Sequence, residues 1–180
     1  FVANRIGVHG VMAALKFMDE LGLTPEQVDA IAGTPMGRPK SAVFRTIDMV
    51  GLDTFVHVAL NVFENCPNDE SLALFNPPEF VNKMVERKLL GDKTGGGFYK
   101  KEKKDGKKEV FALNTKTLEY EPAKKPKFEA VDAVKKEEDL CLKLQGLVYG
   151  SDVASQFAWK SVAASLIYSA NRLFEIADDI

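Results

Sequence analysis

The stretch from Thr34 to Asp53 constrains this chain more than any other: it reads as a turn, a short helix, a glycine break and the start of another helix. Pro35 and Gly37 punctuate the entry, and Pro39, whose ring fixes φ, suits the first turn of a helix. Ala42, Val43, Ile47, Met49 and Val50 then supply an apolar face at helical spacing. Gly51 ends that helix, and Asp53 is placed to cap the next one.

The flanking segments carry the same period. Ile6, Val11, Leu15, Met18 and Leu21 recur at helical spacing over residues 1–22, and Gly22 is the stop. Gly7 and Gly10 lie inside this helix, each at a cost of about 1 kcal/mol relative to Ala. Small residues there permit close approach of another backbone or a ligand. Thr24-Pro25-Glu26-Gln27 is a capping box with proline at the first helical position, opening a short helix through Val28 and Ile31. Residues 53–65 place Phe55, Val58, Ala59, Val62 and Phe63 inward. Pro67-Asn68-Asp69 is a turn, and Pro77-Pro78 opens an amphipathic helix that Gly91 ends.

The pattern changes at Lys93–Tyr99, where a glycine turn lands on Phe98 and Tyr99. Asp105-Gly106 is a hairpin signal between strands flanked by Phe98-Tyr99 and Val110–Leu113, and Thr115–Tyr120 suits a third short strand. Pro122 to Pro126, with lysines between, reads as a linker. Helical periodicity resumes at Phe128 with the stripe Leu140, Leu144, Leu147 and Val148. Gly150 ends it, and Ser151 or Asp152 caps a long helix through Val153, Phe157, Ala164, Ile167, Ala170 and Phe174. The expected fold is therefore mainly all-α with a small β-hairpin excursion near 98–120. Three parts follow: 1–99 helical, 100–127 charged hairpin and linker, and 128–180 helical again. Aligning Phe1 with Phe157 sets Ala14-Leu15-Lys16-Phe17 against Ala170-Asn171-Arg172-Leu173, a weak internal repeat. Both ends of the chain fall within apolar, helix-patterned sequence and read as cuts through a longer protein.

Hydrophobic content of 46%, charged content of 28% and a net charge of −2 over 180 residues describe a soluble globular chain with enough length for a core. That charge argues against a nucleic-acid partner, and the lysines of 100–108 are interleaved with Glu102 and Asp105, as in a solvated hairpin. No apolar run approaches the ~20 residues of a membrane span. Cys66 and Cys141 are too few for a disulfide framework or a thiolate metal site, which suits a reducing, cytoplasmic setting, and neither has a base partner for thiol catalysis. His9 and His57 lie on helices, His57 on an apolar face that suits a core or interface position.

Three motifs in order, FVANRIG at 1–7, GTPMGRPKSAVFRTIDMVGLD at 33–53 and KTGGGFYK at 93–100, resemble the C-terminal helical domain of 3-hydroxyacyl-CoA dehydrogenases. The central motif matches G-x-P-M-G…D-x-x-G-L-D; its Arg-Pro-Lys departs from the commoner aromatic–acidic pair. The resemblance implies a helical domain of the 6-phosphogluconate dehydrogenase C-terminal type. It implies a parent enzyme that oxidises (3S)-3-hydroxyacyl-CoA to 3-ketoacyl-CoA with NAD in fatty acid β-oxidation. NAD and the catalytic His/Glu pair would belong to a Rossmann domain preceding Phe1, so this segment alone is expected to be inactive, with no metal. Some large members carry this helical domain twice, which implies that 128–180 opens a second, truncated copy. Others add an enoyl-CoA hydratase domain. The implied partners are the acyl-CoA substrate, the Rossmann domain, and either a second subunit or the internal repeat.

One functional residue carries over. Asn4, in FVANRIG, corresponds to the family asparagine beside the substrate thioester, where its amide donates to a developing oxyanion or orients the substrate oxygen; as a bare residue it serves equally as a decoration of the first helical turn. Arg38 and Lys40 are candidates to meet an anionic group of CoA, and equally to be solvated helix-end charges or members of salt bridges, as is Arg45. Lys93–Gly97 suits a tight packing turn better than a phosphate cradle. A helical interaction or dimerisation module without catalytic role is the competing class.

Overall fold

The computed structural model describes residues 2–104 and 107–176. Phe1, the hairpin tip Asp105-Gly106 and residues 177–180 lie outside the described residues, and with them the anchor of the repeat alignment and both chain ends. The described elements are mainly helical, in the order α1 (Val2–Glu20), α2 (Pro25–Ala32), α3 (Phe44–Val50), α4 (Leu52–Asn65), α5 (Glu79–Glu86), β1 (Tyr99–Lys104), β2 (Lys107–Leu113), β3 (Tyr120–Pro122), α6 (Glu129–Ala133), α7 (Leu140–Val148) and α8 (Val153–Ile176).

α1 buries Val8, Met12, Leu15 and Met18, one face of a regular helix. Its end is built by Gly22 at φ 63°, which lets the Leu23 N–H return to the Met18 carbonyl. α2 opens as expected, with the Thr24 N–H donating to Gln27 Oε1 at 2.9 Å. The central stretch differs from its sequence pattern. Pro39 precedes the helix, and α3 begins only at Phe44 because Ala42 takes a left-handed φ of 47°. What starts α3 is Asp29 of α2, whose carboxylate accepts the N–H groups of Val43, Phe44 and Arg45 at 2.8–3.0 Å. The Tyr99 hydroxyl completes this site from the far side of the sheet boundary.

Gly51, at φ 106°, turns the chain so that α3 and α4 meet at 98°. α4 starts one residue before the expected cap: Asp53 lies inside its first turn and pairs with Lys93. α5 stops at Glu86, earlier than Gly91, because Lys88 is left-handed at φ 59° and Leu89 folds back to the Met84 carbonyl. The glycine turn that follows is shaped by Asp48, whose buried carboxylate accepts the N–H groups of Phe98 and Tyr99, both at 2.8 Å. A Cβ on Gly97 would collide with Asp48 Oδ1, and one on Gly91 with the Asp48 carbonyl oxygen, so both positions demand glycine.

The strands form an antiparallel meander in the order β1-β2-β3, with Tyr99 opposite Ala112 and Phe111 opposite Pro122. The third strand is therefore Tyr120–Pro122 rather than 115–120. Asn114 closes a turn there by accepting from Lys116 and Thr117, and Leu118 takes a left-handed φ of 58°. Asp152, not Ser151, caps α8 through the Ser155 N–H at 3.0 Å.

α8 lies antiparallel along α1. Lys160 reaches Glu20 at one end and Tyr168 stacks on His9 towards the other, at 3.7 Å between ring centres. Phe128, Leu147, Phe157 and Tyr168 from the C-terminal helices belong to the same buried cluster as Met12, Phe44, Phe75 and Phe98.

Candidate functional site

A groove of about 720 Å³ runs between α1 and the α3–α4 corner. On one wall stand Ala3, Ile6, Gly7 and Gly10 of α1, and on the other Val43, Ile47, Val50, Phe55 and Val58. α1 contributes Gly7 and Gly10 to the groove among the larger apolar side chains of Ile6, Val8 and Val11. A Cβ on Gly7 would meet nothing within 4 Å, so the close approach that its smallness permits is open.

Asn4 and Arg38, from separate motifs, line this mostly apolar surface together with the hydroxyl side chains of Thr46, Thr54 and Ser165. Asn4 stands exposed on the first turn of α1, and Arg38 comes from the turn before α3. The structure thus brings together two of the three candidate residues. Lys40 lines a different cavity of about 600 Å³, with Asp29, Tyr99 and Lys143. Burial lowers the pKa of the Arg38 guanidinium, and no acid or hydrogen bond among the described residues acts against it. Arg45 is spoken for, donating twice to the Asp92 carboxylate at 2.7 and 2.6 Å.

Beside Asn4 sits a cluster that the sequence reading did not find. Asp69, assigned only to a turn, is buried and accepts from Arg5 Nε at 2.9 Å and from the Tyr168 hydroxyl at 2.7 Å. Burial works against its carboxylate, but the hydrogen bonds from Tyr168 and Arg5 outweigh it and hold Asp69 below the ordinary range. His9 packs against Tyr168, and burial pushes it down to about 4, so it is neutral near pH 7. Its Nδ1 has no hydrogen-bond partner among the described residues, and the ring stacks on Tyr168. His57 is exposed on α4, not in the core. The one signal in the sequence was the Arg beside Asn4 in an otherwise apolar first turn.

The glycine turn is a packing device. The Gly95 and Gly96 N–H groups donate to Asp92 and Gly91 carbonyls, and Gly97 donates to Tyr99. These amides are used internally and do not converge on a phosphate. No group of His, Cys, Asp and Glu among the described residues is arranged to hold a metal ion. A dinucleotide needs a glycine-rich turn between a parallel strand and a helix. The sheet described here is an antiparallel meander, so these residues do not fit NAD. No helix among them is long and apolar enough by itself to cross a membrane.

The family described as "3-hydroxyacyl-CoA dehydrogenase, C-terminal domain" matches residues 1–101. The chain belongs to this family. That match takes in both walls of the groove, Asn4, Arg38 and the Asp48-centred glycine turn, while α6, α7 and α8 lie beyond it. A "Probable 3-hydroxyacyl-CoA dehydrogenase" of Bacillus subtilis is 43% identical over all 180 residues, which cover 22% of that protein. One of the same name from Deinococcus radiodurans is 45% identical over 65% of this chain and 34% of its own length. The mitochondrial hydroxyacyl-coenzyme A dehydrogenase of Rattus norvegicus is 35% identical over 56% of the chain and 31% of its own length. The chain thus spans about a fifth to a third of these relatives. No solved structure matches it significantly. In this C-terminal domain the groove sets a mostly apolar lining beside the Asn4 amide.

Proposed function

We propose that this chain is the substrate-binding part of an NAD-dependent enzyme that oxidises (3S)-3-hydroxyacyl-CoA to 3-ketoacyl-CoA in fatty acid β-oxidation, in the cytoplasm. The observation that carries the reading is the apolar groove with Asn4 at its α1 wall. Its aliphatic walls bury the acyl chain, and the Asn4 amide donates to a substrate oxygen. Hydride acceptance by NAD and removal of the hydroxyl proton fall to a Rossmann domain outside this chain, and the chain alone is inactive. Residues 128–180 are read as the start of a second helical copy, supported by the antiparallel packing of α8 on α1. Pairing within one chain is preferred on this ground to a homodimer.

The test is kinetic. In the intact dehydrogenase, Asn4→Ala lowers kcat/KM by about 100-fold while the melting temperature holds. An unchanged kcat/KM removes Asn4 from the reaction. A competing reading, a non-catalytic interaction module, draws on Trp159, Leu166, Ile167 and Phe174, all exposed on α8. Titrating the 180-residue chain with acetoacetyl-CoA separates the two. NMR shifts at Ile6, Gly7 and Val43 support the substrate role, and their absence leaves the module.

A further inference from the structure

We infer that Arg38 makes the groove selective for acyl groups that end in a carboxylate. This rests on the reading of the groove as the acyl site. The guanidinium is half-buried and shares one cavity of about 720 Å³ with a surface that is otherwise mostly aliphatic. Its pKa is lowered by burial alone, with no carboxylate and no hydrogen bond among the described residues set against that loss of water. The neighbouring cations are satisfied: Arg45 pairs with Asp92, Lys93 with Asp53, and Arg5 with Asp69. Arg38, unlike these three, has no such partner among the described residues.

A plain alkyl chain filling this groove would strip further water from an unpaired cation, which opposes binding. A chain whose far end carries a carboxylate reverses that sign. The planar guanidinium accepts the geometry of a carboxylate through two parallel N–H···O bonds, and the surrounding low-polarity walls strengthen them. Asn4 and Arg38 enter the groove from different elements, one for each end of such a substrate: the thioester oxygen at Asn4 and the terminal carboxylate at Arg38. The substrate class is a 3-hydroxy dicarboxylic mono-thioester of CoA. Its supply requires a reaction that oxidises the far methyl end of a fatty acid or opens a ring to a diacid.

The experiment uses thioesters of N-acetylcysteamine, which carry no phosphate, so that a response at Arg38 cannot come from the CoA head. Octanoyl and 7-carboxyheptanoyl thioesters are titrated against the 180-residue chain by calorimetry, with free coenzyme A as a third ligand. The carboxylated ligand is expected to bind roughly 10- to 100-fold more tightly than the octanoyl one. Arg38→Met should abolish that difference and leave octanoyl binding equal or stronger. Arg38→Lys, which keeps the charge and loses the two-pronged geometry, should restore part of it. Because Arg38 holds no other group among the described residues, both variants should melt like the wild type. Equal binding of the two thioesters overturns the inference while leaving the acyl groove intact. Weaker coenzyme A binding in Arg38→Met with no effect on the thioesters also overturns it and assigns Arg38 to a phosphate. Failure of both thioesters to bind overturns the acyl-groove reading and this inference with it.

Discussion

Asp48 ties the central motif to the glycine turn, since its two oxygens take the Phe98 and Tyr99 N–H groups in a site that is 1% exposed. Burial pushes its pKa up to about 6, and the two backbone N–H groups only partly pull it back. Its folded value therefore exceeds the ordinary carboxylate value. The stability it contributes is fully present below about pH 4 and is lost as pH rises through about 6. Asp48→Asn removes this titration. The stability difference between wild type and variant should shrink between pH 4 and 7, as urea unfolding at stepped pH would measure; a widening gap contradicts the assignment. Asp48→Ala leaves two N–H groups without a partner and should cost about 2–4 kcal/mol at any pH in that range.

At the scale of elements, helices were legible where a complete local signal existed. The Thr24–Gln27 box, the Gly22 stop and the Pro77-Pro78 start lie within one turn of what they control. α3 is different because its cap, Asp29, is contributed by α2 and is separated from it by a left-handed Ala42. Pro39 is an equally good helix starter and turn residue, and only the long-range carboxylate decides between them. The glycine motifs split the same way. Gly97→Ala forces a Cβ onto Asp48 and Gly91 and should destabilise by about 3 kcal/mol. Gly7→Ala meets no neighbour, so it should stabilise α1 by up to about 1 kcal/mol. The added methyl enters the groove, however, and acyl thioester affinity should fall. Thermal melts and calorimetry on the same two variants check both signs. Gain of stability without loss of affinity would place the ligand elsewhere.

For the molecule as a whole, the candidate site was legible only in part. Asn4 and Arg38 lie far apart in sequence, and their meeting depends on the sharp corner at Gly51 and on α1 turning its glycines outward. The Asp69 hub was invisible for the same reason, because Arg5, Asp69 and Tyr168 come from three distant segments joined only when α8 reaches α1. Asp69→Ala leaves the Arg5 and Tyr168 donors without their acceptor and should cost about 3 kcal/mol, read from chemical unfolding. This hub also bears on how the chain divides. If residues 128–180 were an independent unit, the chain ending at Lys127 would fold as a stable monomer. In the structure that truncation uncovers His9 and the Phe75 side of the hub, together with the α1 surface at Gly10 that faces Ser165. The expected outcome is loss of a cooperative melt and association on size exclusion. A sharp, monomeric transition for residues 1–127 would instead make α8 a separable clamp, and its contacts with α1 an interface between two folding units.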